Sequence, residues 1–327
     1  MTERARSPAA RFGRRAFVAG AVSAGAGLAA CGSEPPLRVA LHRWPGYEFM
    51  RLAGRSGTVP RGSAVVVDTV TVQQSLAMLA DGSADGAGLT LDQVLGARES
   101  GLDLGVVLVF DISSGADAVL ARPGIGTLGD LRGRAIGVEK STLGDVMIAK
   151  VLEAGGLRRT DLTVVDMDED HVAAWERGGL DAIITYEPSL ARLRAAGLRP
   201  IFDSRSLPRL IVDVLAVRRG LSGRRADGLR ALVAGHLDLV DEWRQSPADL
   251  AYRLATMLAS TADEIRESYR GIDLPDAVYN RRYLAPPAAE MTAAARELAG
   301  ILRGSGALAR PPVTDGLFLA DYLPRAR

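Results

Sequence analysis

Residues 110–144 read FDISSGADAVLARPGIGTLGDLRGRAIGVEKSTLG, and the fold turns on them. An apolar run reaching Phe110 ends in small and acidic residues, and a second apolar stretch, DAVLA, continues it. Pro123-Gly124 marks a turn into a short helix, after which AIGVE forms a strand that stops at the polar turn KSTLG and opens a helix. Both strand ends offer backbone amides, hydroxyls and a carboxylate to a small molecule. The stretch reads as one wall of a binding cleft and as the crossing into a second lobe. It holds no catalytic set.

Upstream, Leu37 to Trp44 has a buried-strand pattern that Pro45-Gly46 ends. Trp44 and Tyr47 follow its carboxyl end, where open α/β sheets bind ligands. With the Pro-Gly turn projecting them outward, they sandwich a flat or cationic group; otherwise they pack the loop on the next helix. AVVVDTV, from Ala64 to Val70, is a second strand, and Val72, Leu76 and Leu79 share a face of the helix after it. A short strand then enters a helix at Thr90, which is either a helix cap or a ligand contact. Leu104 to Asp111 is nearly continuously apolar, as in a strand buried on both faces. This strand–helix alternation implies a parallel sheet with crossover helices.

Downstream, a helix from Asp145 pairs Met147 with Val151 and Ile148 with Leu152. Thr142 and Asp145 fit a capping box, and a helix start is also a dipole site for a ligand. Two further strands are LTVVDM and DAIITYEP (ending at Tyr186, Glu187 and Pro188), and LRPIFD and the run IVDVLAVRR follow. From Arg224 the chain is almost wholly helical, with one stripe formed by Leu229, Leu232, Val233, Leu237 and Val240. His236 lies on that apolar side and reads as a core residue. His42 and His171 lack metal-like spacing, so no metal and no cofactor is expected.

The amino-terminal residues carry a targeting pattern. Arg14-Arg15 precede an uncharged run from Ala16 to Ala30, too short to span a bilayer, which ends in LAAC with Gly32-Ser33 after it. That is a twin-arginine-like signal peptide, residues 1–30, with a lipobox that makes Cys31 the lipid attachment site. Cys31 is the only cysteine, which excludes disulfides, Cys-metal clusters and a Cys nucleophile. The net charge of +1 becomes −3 once residues 1–30, with five Arg and one Glu, are set aside. Lys140 and Lys150 are the only lysines, and no basic patch is visible, so nucleic acid is not an expected partner.

Taken together, the lipobox, WPGYE, DISSGADAVLA, DLRGRAIGVEKSTLG and GGLDAIITYEP resemble the solute-binding lipoproteins of ABC importers, of the nitrate/sulfonate/taurine (thiamine-pyrimidine-synthase-like) type. The resemblance runs over about Leu37 to Arg218, with a weaker helical match beyond. It implies an α/β, two-lobed periplasmic-binding-protein type II fold with two interlobe crossings and a helical C-terminal part. Lobe one would be residues 37–115 plus 214–327, and lobe two residues 116–213. It further implies ligand contacts from Trp44, Tyr47, Thr90, Ser113, Ser114, Asp117, Ser141, Thr142, Tyr186 and Glu187. The implied partners are a small-molecule solute, an ABC permease with its ATPase, and the membrane through the lipid anchor, for a monomer held outside the cytoplasmic membrane.

The acids depart from what an oxyanion binder needs. Glu48, Asp111, Asp117, Glu139, Glu187 and Asp213 recur beside strand ends, against Arg43 and Lys140 as the obvious cations. Burying a sulfonate beside unpaired carboxylates costs several kcal/mol. A small cationic or neutral nitrogenous solute is therefore expected, and the binding role is expected to be non-enzymatic. Two alternatives are an enzyme on the same scaffold, for pyrimidine-precursor or menaquinone-type chemistry, and a solute-sensing lipoprotein.

Overall fold

A computed structural model describes residues 34–325. The twin-arginine pair, the apolar run and Cys31 lie outside the described residues.

Eleven strands form two sheets. The first contains β1 (Leu37–Leu41), β2 (Ala64–Asp68), β3 (Gly86–Thr90), β4 (Leu104–Ser113), β10 (Val212–Arg218) and the short β11 (Ile272–Asp273). Their order is β11-β4-β10-β3-β1-β2. The second contains β5 (Asp117–Ala121), β6 (Ala135–Glu139), β7 (Thr163–Met167), β8 (Ala182–Tyr186) and β9 (Arg199–Asp203), in the order β7-β6-β8-β5-β9. The chain passes between the sheets twice, through Ser114–Gly115–Ala116 after β4 and through residues 204–211 before β10.

The expectation of an all-parallel first sheet needs a correction. β1 pairs in parallel with β2 and β3, but β10 enters antiparallel between β3 and β4. A chain that leaves one sheet and later returns re-enters from the far end, so its strand runs against its neighbours. The same holds in the second sheet, where β6 is parallel to β7 and β8 while β5 is antiparallel to β8 and β9.

All ten residues of β4 are buried. It is flanked by strands on both edges and covered on both faces, which is what its unbroken apolar run requires. Each large apolar side chain so buried contributes on the order of 1.5–3 kcal/mol. Past β10 the chain is helical, beginning with Gly223–Gln245, whose Leu229, Leu232, Val233, Leu237 and Val240 are all buried. The last helix, Ala289–Ser305, packs on both Leu91–Glu99, which follows β3, and Thr142–Gly155, which follows β6. A Lys150–Glu297 ion pair of 2.8 Å joins it to the latter. It thus touches helices attached to both sheets.

Candidate functional site

The site begins with a row of residues at the ends of three neighbouring strands. Asp213 on β10 lies opposite Thr90 on β3 and also opposite Asp111 on β4. Directly opposed residues present their side chains on one face of a sheet, where two like charges destabilise the pairing. Asp111, Asp213 and Thr90 are all buried. On the second sheet, Asp117 at the start of β5 lies opposite Tyr186 at the end of β8.

The turn after β1 supplies the donors. Trp44 Nε1–H donates to Asp111 Oδ2 at 2.9 Å, and the Tyr47 hydroxyl donates to Asp213 Oδ1. Gly46 makes this approach possible, since a Cβ there would sit 1.7 Å from Asp111 Oδ2. The two aromatics are therefore buried, and the expectation that Pro45-Gly46 projects them outward is not met. The three residues Pro45–Tyr47 form a single 3-10 turn that folds the Tyr47 ring back against Phe110, 4.9 Å away. Trp44 meets Tyr186 from the other sheet edge-on, with ring centroids 6.2 Å apart.

Across from the row, Glu139 at the end of β6 accepts hydrogen bonds from the Tyr186 hydroxyl at 2.7 Å and pairs with His171 Nε2 at 3.1 Å. The other ring nitrogen of His171 lies 3.0 Å from Thr185 Oγ1. Thr142 donates its hydroxyl to the buried Asp92, joining the helix after β6 to the helix after β3. Ser113 Oγ is hydrogen-bonded to Ser204 Oγ at 2.7 Å and accepts the Asp117 N–H at 3.2 Å, so the two crossings are tied together.

Burial dominates the electrostatics. It pushes Asp111 up to about 8 against the Trp44 hydrogen bond, helped by the charges of Asp117 and Asp273. Burial also lifts Asp117 to about 7, opposed by Ser113 and reinforced by Asp92, Glu139 and Glu187. Asp213 is raised well above the carboxylate range by burial and then by Asp111, and Asp92 is raised by burial. Glu187, whose Oε2 accepts the Ala191 N–H at 3.3 Å, is lifted by burial to about 7. Glu139 goes the other way. Burial pushes it up, yet the hydrogen bonds from His171 and Tyr186 outweigh that and hold it below its ordinary value.

Of the ten residues expected at the site, the structure brings Trp44, Tyr47, Thr90, Ser113, Asp117, Thr142, Tyr186 and Glu187 around this cluster. Thr90 does stand at the helix start, in a capping box with Gln93, whose Oε1 accepts its backbone N–H at 3.0 Å, and its hydroxyl lies beside the Asp92 carboxyl. Two residues lie at its edges, Ser141 beside Glu139 and Ser114 on the first crossing. Ser141 caps Thr142–Gly155 by accepting the Gly144 N–H at 3.1 Å, one position before the cap expected at Thr142. It lines a 220 Å³ cavity with Lys140, Asp145 and Arg159. Ser114 donates its backbone N–H to Gly271 and lines a 520 Å³ cavity with Arg205, Arg244 and Tyr279. That larger cavity shares only Ser113 and Ser114 with the expected set, so volume and chemistry point to different places. We assign the site to the chemistry, because the cluster holds two buried carboxyl oxygens without partners, Asp111 Oδ1 and Asp117 Oδ2.

Asp111 and Asp213 were visible as acids beside strand ends, but not as neighbours. Asp92 and His171 left no comparable signal. Their partners, Thr142 and Glu139, are 50 and 32 residues away.

Comparison with known proteins agrees with the resemblance read from the sequence. Residues 66–208 match the family model described as NMT1/THI5 like. The periplasmic aliphatic sulphonate binding protein SsuA of Escherichia coli superposes with a TM-score of 0.72 at 19% identity, over 88% of this chain and 92% of that one. The alkanesulfonate-binding protein SsuA of Xanthomonas axonopodis, bound to MOPS, gives 0.70 at 18% identity, over 85% and 96%. The desulfurization enzyme DSZB shares the architecture at 0.64 and 16% identity, over 88% and 97%. The fold is thus the two-lobed type of periplasmic binding proteins, and it serves both binders and an enzyme. A Brucella abortus protein provisionally named a binding protein is 30% identical over 80 residues, which span 24% of this chain and 25% of that relative.

Proposed function

We propose that this chain is the extracytoplasmic solute-binding subunit of an ABC importer, which captures a small nitrogenous organic solute between its two sheets and delivers it to a permease. The observation that carries this reading is the convergence of three strand ends and the facing strand β5 on buried acids whose oxygens are not all bonded. Catalysis needs a free nucleophile or a free acid–base pair. In this site His171 is spent between Thr185 and Glu139, and Tyr47 on Asp213, which favours binding over chemistry.

In this reading residues 37–115 plus 214–327 form lobe one and residues 116–213 form lobe two. The solute favours the arrangement in which both rows contact it. Export, lipid attachment at Cys31, a monomeric state, and docking on a permease with its ATPase complete the proposal. They follow from the amino-terminal pattern and from the binding proteins that share the fold.

Thermal unfolding against amines, guanidino compounds, pyrimidines, sulfonates and nitrate tests it. A true solute at about 100 times its Kd adds roughly 2.7 kcal/mol and raises Tm accordingly. Mass spectrometry of the natively purified protein then finds the solute unaltered. A co-purified molecule that is turned over on incubation would move the assignment to an enzyme.

A further inference from the structure

Resting on the reading of the cleft as a solute site, we infer that the solute is an organic cation bearing at least two N–H donors, an ammonium, amidinium or guanidinium group, seated between Asp111 and Asp117.

Two buried oxygens in the cluster have no hydrogen-bond partner: Asp111 Oδ1 and Asp117 Oδ2. Asp111 offers Oδ1 because Trp44 occupies only Oδ2. Both residues are almost wholly buried and they come from different sheets. Buried polar atoms are bonded in nearly all native proteins, so two orphans at facing strand ends mark where a partner belongs. Both are carboxylate oxygens, which when ionised only accept, so the missing partner is a donor.

The charge around them decides between a neutral and a cationic donor. Asp111 faces Asp117 from the other sheet, Asp213 from β10 and Asp273 from β11. Asp117 faces Asp92, Glu139, Glu187 and Asp213. The buried basic groups nearby are already committed. Arg51 is bonded to Glu48, Asp68 and the carbonyls of Leu41 and His42, and His171 to Glu139. Arg43, Lys140 and Arg194 are exposed. A neutral amide would satisfy the oxygens and leave the repulsion in place, and a sulfonate would add to it. A cation with N–H groups does both jobs, and its arrival drives protons off the carboxyls that burial keeps protonated in the empty site.

Four probes of one shape separate the alternatives: benzamidinium (cation with N–H), phenyltrimethylammonium (cation without N–H), benzamide (neutral with N–H) and benzenesulfonate. Methylguanidinium controls for size. Each is titrated calorimetrically into the protein at neutral pH in two buffers of different ionisation enthalpy, up to about 10 mM, alongside thermal unfolding. We expect binding by benzamidinium or methylguanidinium, release of about one proton or more per molecule bound, and at least tenfold weaker binding by the other three probes. Asp117→Asn should weaken the bound cation about tenfold or more and reduce the protons released. That proton count is a readout a merely structural role would not move. Equal binding by phenyltrimethylammonium overturns the donor requirement. Binding only by benzamide or benzenesulfonate overturns the cation and leaves the solute-binding reading standing. If no probe binds and no small molecule co-purifies, both fall.

Discussion

Two acidic regions lie at strand ends of the two sheets, and they are built on opposite terms. On the second sheet, Glu139 is bonded to His171 and Tyr186, His171 to Thr185, and the carboxyl is held below its ordinary value. On the first sheet, Asp111 and Asp213 lie side by side with no cation and are raised by burial, and Asp111 keeps one oxygen unbonded. A buried carboxylate with a full set of partners is architecture. A buried carboxylate without them is a cost the fold carries until something arrives to offset it, and unmet polar groups of this kind mark functional places.

The contrast is open to attack from both sides. The largest effect is expected from His171→Ala, which empties a buried ring site and leaves Glu139 and Thr185 short of a hydrogen-bond partner, and should lower stability by about 3 kcal/mol in chemical denaturation. A loss near zero would mean that the second-sheet network is not the satisfied structure described above. Gly46→Ala comes next. Its Cβ would collide with Asp111 Oδ2, displacing the carboxyl from Trp44 at a cost of roughly 1–3 kcal/mol, with a change in tryptophan fluorescence as the second readout.

Asp111→Asn works in the opposite direction. The empty wild-type site binds more protons than the unfolded chain between the ordinary carboxylate range and about 8, because Asp111 is raised to about 8 and Asp117 to about 7. Stability of the ligand-free protein should therefore fall as pH rises through that window and level off above it. Asp111→Asn should flatten part of this slope and raise Tm near pH 8 by roughly 2–4 °C. A profile that rises over the same window would refute the charge assignment. The smallest effect belongs to Ser141→Ala, which removes a helix cap and a hydroxyl beside Glu139 and should cost about 1 kcal/mol near neutral pH in the same unfolding titration.

Much of this architecture was legible in the chain. Among the described residues, the apolar runs read as strands became strands, because burial on two faces leaves little freedom in residue type, as Leu104–Ser113 shows. The helical stripe from Leu229 to Val240 was readable for the same reason, since helical spacing alone places those side chains on one buried face. His236 was readable too, and it is fully buried beside Phe49 and Phe110. The site was legible only in part. Asp111 and Asp117 announce themselves as acids interrupting apolar runs, but strand order decides that Asp213 rather than another acid stands beside Asp111, and order is not a local property. The outward aromatics failed because a Pro-Gly turn specifies a bend and not its direction. The direction is set by the hydrogen bond that Asp213 offers from 166 residues away.

Asp111 and Asp117 sit at the two ends of one short piece of chain, the first crossing between the sheets. Five residues separate them, so the chain itself tethers the two carboxyls, while Trp44 is added to Asp111 by a hydrogen bond and Tyr186 to Asp117 by strand pairing.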